Sequence, residues 1–183
     1  MIDPNTAQRF QAMAAPHLDA AYNLARWLTR NPADADDVVQ DAYLRAFRYF
    51  DGFRGGDGRA WLLAIVRNTC YSWLRRNRSE QATMEYDDEI ASLQSMSDPA
   101  ELAMHVSDPA QLLLRASNQQ QLEAALLQLP TEQREILVLR ELEDLSYKEI
   151  AGITGLPIGT VMSRLSRARL QLRRCFEAMS TTS

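Results

Sequence analysis

Apolar residues recur along this chain at intervals of three and four, the spacing of one face of an α-helix. The last long segment shows it best. Val161, Leu165, Ala168 and Leu172 fall on one stripe, which must face a core. A second segment, opening at Asn31-Pro32, carries Ala35, Val38, Val39, Ala42, Tyr43, Ala46, Phe47 and Phe50 on its apolar face, leaving Asp37, Gln40, Asp41, Leu44, Arg45 and Arg48 outward. Asn31 fits a helix cap, Pro32 the first helical position, and Asp34, Asp36 and Asp37 a first turn that favours negative charge. A third segment, from Arg59 to about Asn77, has Leu62, Val66, Thr69 and Trp73 as its buried stripe and Ala60, Ala64, Arg67, Asn68, Tyr71 and Arg75 opposite. Helices are also predicted over Thr6 to Ala15 and His17 to Arg30, interrupted at Pro16. Others run onward from Ser117, whose capping partner is Gln120, and break at Pro130. Seven glycines and seven prolines fall mostly between these patterns, so the expected fold is all-α.

The sharpest local signal lies between Leu145 and Arg174. Ser146 and Glu149 make the S-x-x-E box that starts a helix, and Gly155 suits the left-handed residue that ends it. Pro157 then fits the entry to a second helix. The pair reads as a helix-turn-helix. Opposite the second helix's apolar stripe lie Gly159, Met162, Ser163, Ser166 and Arg167, small residues around a cation, with Arg164, Arg169, Arg173 and Arg174 toward the flanks. Such a face can approach a major groove closely, and arginine's planar fork suits both phosphate and guanine edges. Lys148, in the first turn of the preceding helix, is expected to add a phosphate contact.

The formal net charge of −4 argues against nucleic acid until it is resolved along the chain. Arg59 to Arg78 holds five arginines and no acid, and Ile158 to Arg174 repeats that balance. Between them Glu80, Glu85, Asp87, Asp88, Glu89, Asp98, Glu101 and Asp108 stand without a lysine or arginine. Two basic modules therefore flank an acidic strap. The expected organisation is two small helical domains, residues 1–78 and 117–183, joined by a flexible linker, residues 79–116. Separate domains are the expectation for a linker of that length and low hydrophobicity. The Arg59 helix mixes cations, an amide and an aromatic on its outer face, and the loop before it adds Phe53 and Arg54. Unstacked bases need π surfaces, edge hydrogen bonds and backbone neutralisation, which this set supplies. Trp73 reads as a core aromatic, while Tyr71 is open to either reading.

Other classes of function have little support. No apolar run approaches the length of a membrane span, and the N-terminus lacks a signal-peptide pattern, so a cytoplasmic protein without membrane insertion is expected. Cys70 and Cys175 show no CxxC, and His17 and His105 lack metal-ligand spacing. Asp37 and Asp41 have no His, Cys or further acid nearby to make a catalytic set, and FRGGDGR lacks the GK[ST] of a phosphate loop. No enzyme activity, cofactor, metal or small-molecule ligand is expected.

The strings DDVVQDAYLRAF and GTVMSRLSRAR, in that order and separation, resemble an extracytoplasmic-function sigma factor of bacterial RNA polymerase, a branch of the sigma-70 family. The similarity covers nearly the whole chain. It implies that residues 1–78 correspond to region 2 and residues 117–183 to region 4. The face of Asp37, Gln40, Asp41, Leu44, Arg45 and Arg48 would then dock on the clamp helices of the largest polymerase subunit. Phe53, Arg54 and Arg59, with Ala64, Arg67, Asn68, Tyr71 and Arg75, would capture and melt the −10 element. Lys148, Gly159, Met162, Ser163, Arg164, Ser166, Arg167 and Arg169 would meet the −35 element. The resemblance further implies core polymerase, including its flap, promoter DNA and an anti-sigma factor as partners, and a linker that follows a basic channel near the RNA path. Pro157 stands where the family often has a serine cap, and Met162 where a basic residue is frequent. A sigma-like decoy that binds an anti-sigma factor, or an autonomous helix-turn-helix regulator, is the alternative reading.

Overall fold

The structure, a computed structural model, describes residues 4–81 and 119–181. The acidic strap beyond Gln81 and the expected Ser117 cap lie outside the described residues. The N-terminal unit has four helices: α1 (Pro4–Ala14), α2 (Leu18–Thr29), α3 (Pro32–Tyr49) and α4 (Gly58–Gln81). The C-terminal unit follows with α5 (Gln119–Gln128), α6 (Thr131–Leu137), α7 (Tyr147–Thr154) and α8 (Ile158–Thr181). Every described element is helical. α4 and α8 both continue past their expected ends at Asn77 and Cys175, which lie within the helices.

Local chemistry sets the boundaries. Asn31 accepts hydrogen bonds from the backbone N–H groups of Ala33 at 2.8 Å and Asp34 at 3.3 Å, so α3 begins with two orphan donors satisfied. α2 ends one residue earlier at Arg30, whose φ of 63° turns the chain sharply into that cap. Ser146 and Glu149 form both halves of the capping box, at 2.7 Å and 3.2 Å. Gly155, with φ of 73°, closes α7 through a bond to the Ala151 carbonyl.

In the N-terminal unit α2, α3 and α4 pack against one another through Leu24, Ala25, Leu28, Ala35, Val38, Val39, Ala42, Leu63 and Val66, all buried. α1 closes one end. Phe10 meets Phe47 edge-on at 5.2 Å and Phe50 at 5.4 Å, while the Tyr43 hydroxyl donates to the Ala14 carbonyl at 3.1 Å. A side chain at Gly58 would come within 2.9 Å of Met13, so the start of α4 approaches α1 closely because it is glycine. In the C-terminal unit Leu126, Leu129, Ile136, Leu139, Ile150, Val161, Leu165 and Leu172 are buried. α6 runs on into a π-helical turn (Val138–Leu142), closed by Glu143 N–H on the Val138 carbonyl at 3.0 Å. The wider turn aims Glu141 toward α8 and Glu143 toward the N-terminal unit.

The two units are not separate. α4 packs along α7, α2 packs on α6, and one apolar core runs through both. This corrects the expectation drawn from linker length. A tether keeps two faces at high effective concentration, so complementary apolar and charged surfaces associate even when each contributes little alone.

Candidate nucleic-acid interface

Three surfaces carry the residues singled out from the sequence. On α3, Asp37, Gln40, Leu44 and Arg48 are exposed, Leu44 at 60%. Asp41 and Arg45 are half-buried and pair at 2.9 Å one helical turn apart. The six residues share one face because the opposite side holds Ala35, Val38, Val39, Ala42 and Ala46 in the core.

On α8 the buried stripe is Val161, Leu165, Ala168, Leu172 and Cys175. Gly159, Met162, Ser163 and Arg167 are exposed opposite it, and Ser166 is half-buried. Ile158, which the sequence reading passed over, joins this face at 47% exposure beside Met162 at 49%. They stand one turn apart and make an apolar step next to the glycine. The flanking arginines differ from Arg167. Arg164 pairs with Glu132 of α6 at 3.0 Å, and Arg169 is held by Glu141 at 2.7 Å, with its Nε on the same oxygen at 3.2 Å. Arg169 and Glu141 are both largely buried, so this pair braces α8 against the π-helical turn. Lys148 lies exposed on α7.

The third surface is α4 with its preceding loop. Gly55 and Gly56 have φ of 86° and 100°, a left-handed path open to glycine, and Arg54 is exposed beside them. Phe53 is half-buried, its ring 4.9 Å from Trp61 and stacked on Phe50 at 5.9 Å. Asn68 and Arg75 are exposed, and Arg75 reaches Ser72 at 3.4 Å. The remaining cations of this face are only partly exposed, because both reach onto the C-terminal unit. Arg67 grips Glu135 of α6, Nε to Oε1 at 2.6 Å and Nη2 to Oε2 at 3.4 Å, and lies 4.4 Å over the Tyr71 ring. The Tyr71 hydroxyl donates to the same carboxylate at 3.0 Å. Arg59 donates to the Glu143 carbonyl at 2.8 Å and to its carboxylate at 2.9 Å. Ala64 and Trp73 are half-buried against the core. The C-terminal unit thus covers half of the helix face that periodicity alone leaves outward.

These contacts shape the local electrostatics. Glu135 is fully buried. Burial pushes its carboxyl above the ordinary range, while the Arg67 guanidinium pulls the other way. For Arg67 burial lowers the pKa, but the charge and hydrogen bond of Glu135 outweigh it and the net shift is upward. Tyr71 is driven far up, first by burial and then by the Glu135 charge, and burial lifts the neighbouring Cys70 thiol to about 12. Next to Glu135, Arg134 is also fully buried, donating to the Trp27 carbonyl of α2 at 2.7 Å and the Leu129 carbonyl at 2.9 Å. Burial, then the Arg30 charge, lowers its pKa to about 10. Asn23 of α2 completes the contact by donating to Glu143 at 2.6 Å. The sequence reading missed Arg134, Glu135, Glu143 and Asn23. One signal was present: an adjacent Arg-Glu pair directly before the apolar run Ile136 to Leu139.

Among the described residues no group of acids, histidines and cysteines is placed to hold a metal, and no helix is long and apolar enough to cross a membrane. The Sigma-70 region 2 family matches residues 13–80, and the Sigma-70, region 4 family matches residues 119–172. The chain is 36% identical to the ECF RNA polymerase sigma factor EcfG of Rhodopseudomonas palustris over 146 residues, 79% of this chain and 72% of that protein. It is 36% identical to the ECF RNA polymerase sigma-E factor of Escherichia coli over 144 residues, 74% of this chain and 70% of that protein. It matches the ECF RNA polymerase sigma factor SigE of Mycolicibacterium smegmatis at 36% over 160 residues, 86% of this chain but only 57% of that longer relative. Among solved structures, the sigma factor RpoE in complex with the anti-sigma factor NepR, from Bartonella quintana, superposes with a TM-score of 0.71 at 28% identity, covering 93% of this chain and 98% of that one. This chain therefore belongs to the extracytoplasmic-function sigma factors of the sigma-70 family. Members of that family are non-enzymatic factors of transcription initiation.

Proposed function

We propose that the chain is an alternative sigma factor that binds core RNA polymerase in the cytoplasm and directs it to a particular class of promoters. The observation that carries this reading is the acid-free α8 face, Gly159, Met162, Ser163 and Arg167, exposed on a helix-turn-helix whose opposite side is locked into the core. In this reading α8 enters the major groove at the −35 element. Arg167 reads a guanine edge, and Arg164 and Lys148 contact phosphate. Arg169, committed to Glu141, positions the helix. Ile158 and Met162 meet thymine methyl groups where a cation would meet phosphate or guanine. Phe53, Arg54, Arg59, Ala64, Arg67, Asn68, Tyr71 and Arg75 serve the −10 element. Asp37, Gln40, Asp41, Leu44, Arg45 and Arg48 dock on the polymerase clamp. The solved RpoE structure, bound to the anti-sigma factor NepR, supports a partner of that kind here.

The test is reconstitution. The purified chain should co-purify with core polymerase and support transcription from a restricted promoter set. Tight operator binding by the chain alone, with no capture of core polymerase, would replace this reading with an autonomous regulator.

A further inference from the structure

We propose that one edge of the α8 face reads the C5-methyl group of a pyrimidine rather than the whole base, so that 5-methylcytosine serves in place of thymine in its −35 site. The inference rests on the −35 reading given above and deepens it. The face has two unlike edges. Ile158 and Met162 form one, 47% and 49% exposed and a helical turn apart. Arg167 forms the other, exposed and about 140° round the helix from Met162. Unlike Arg164 and Arg169, it pairs with no acid among the described residues. Between the edges lie Gly159 and Ser163, both exposed, and the half-buried Ser166. A Cβ at Gly159 would meet nothing within 4 Å, so a base edge can approach the helix closely beside Ile158 and Met162.

Thymine and cytosine differ in the major groove at two points: thymine has a carbonyl acceptor where cytosine has an amino donor, and thymine alone carries the methyl. Telling acceptor from donor takes a side chain that offers only one of the two. The apolar edge has no such group. Ile158 is hydrocarbon, Met162 adds only a weakly accepting thioether, and Gly159 has no side chain. The Ser163 hydroxyl donates to the Thr160 carbonyl at 3.1 Å, so its one hydrogen is spent. A hydroxyl such as that of Ser166 both donates and accepts, so it serves either base. Contact with the methyl is what remains. A methyl on cytosine projects into the groove from the same ring position, and this edge accepts it equally. Arg167 stands five residues beyond Met162, about 7.5 Å along the axis, which exceeds one base-pair step of about 3.4 Å. Guanine is therefore read at a different pair, and methylation leaves that contact alone. Methylating a cytosine creates a −35 site here instead of blocking one.

A duplex library randomised over the −35 region tests this when made in two forms, one of ordinary DNA and one with every cytosine of the randomised stretch replaced by 5-methylcytosine. The full chain, alone and with core polymerase, selects from each. In ordinary DNA one or two positions should prefer thymine over cytosine by about fourfold, as for one buried methyl-sized group. In the methylated form the same positions should accept 5-methylcytosine as readily as thymine. Met162→Ala should remove that gain. Leu18→Ala, which alters an exposed apolar residue of α2 outside all three surfaces, should keep it. If 5-methylcytosine competes with thymine no better than cytosine does, the proposal is overturned and the −35 reading stands. A gain that survives Met162→Ala also overturns it. Absence of any −35 preference in either form overturns both.

Discussion

At the scale of single residues, the arginines of α8 are not equivalent, although a helical projection makes three of them look alike. Arg167→Ala should cost about 1–3 kcal/mol and relax preference at one −35 base pair. Arg164→Ala should weaken all promoters similarly and reduce the salt slope by about 0.9. Arg169→Ala should instead lower thermal stability together with −35 binding, and Glu141→Ala should match it, because each leaves the other largely buried without its partner. Near-additive losses in the double variant would show that the pair does no bracing. Met162 and Ile158 make a sharper case. Replacing each −35 thymine in turn by deoxyuridine removes a single methyl, worth about 0.8 kcal/mol or roughly a fourfold loss of affinity if it is buried. The loss should appear at one or two positions with the wild type and vanish with Met162→Ala. Equal affinity for every deoxyuridine duplex would exclude methyl reading.

At the scale of elements, most of what builds the helices is short-range, and so it was legible in the sequence. The Ser146–Glu149 box, the Asn31 cap and the Gly155 terminus depend on neighbours within three or four positions, and the structure shows all three. The α8 stripe was legible for the same reason. Ser146→Ala should cost about 1 kcal/mol, read by thermal unfolding, and should loosen α7 while leaving the other helices intact. Hydrogen bonding by Ser146 holds the Glu149 carboxyl below its ordinary range. A depressed folded-state value means that its contribution is present above the unfolded pKa and fades as pH falls through the folded one. The α4 face was only half legible. Leu62, Val66 and Thr69 are buried as periodicity predicts, but Arg67 and Glu135 are 68 positions apart and leave no periodic mark. Charged residues opposite an apolar stripe default to solvent unless a distant partner claims them. Among the described residues no such distant partner claims the outer face of α3. Reversing Asp37 and Asp41 to lysine should therefore reduce affinity for core polymerase while circular dichroism stays unchanged. Undiminished capture of core enzyme by that double variant would remove the face from the docking surface.

At the scale of the whole molecule, one core shared by two sequence-distant units implies shared unfolding. Heating the free chain should give a single transition, with near-ultraviolet dichroism and amide protection in α2 and α8 lost together. Glu135→Ala should split it by stranding Arg67 in a contact with no acceptor. The Arg134–Glu135 pair has a further consequence in time. Arg134 donates to the carbonyls of Trp27 and Leu129, on opposite sides of the contact, and its neighbour's carboxylate is shut between Arg67 and Tyr71. Neither charge can be half released, because any partial separation strands an ion where water cannot yet follow. Opening must pass an abrupt threshold. Amide protons on both sides of the contact should then exchange in one correlated event, at a rate set by how often the chain itself lets go.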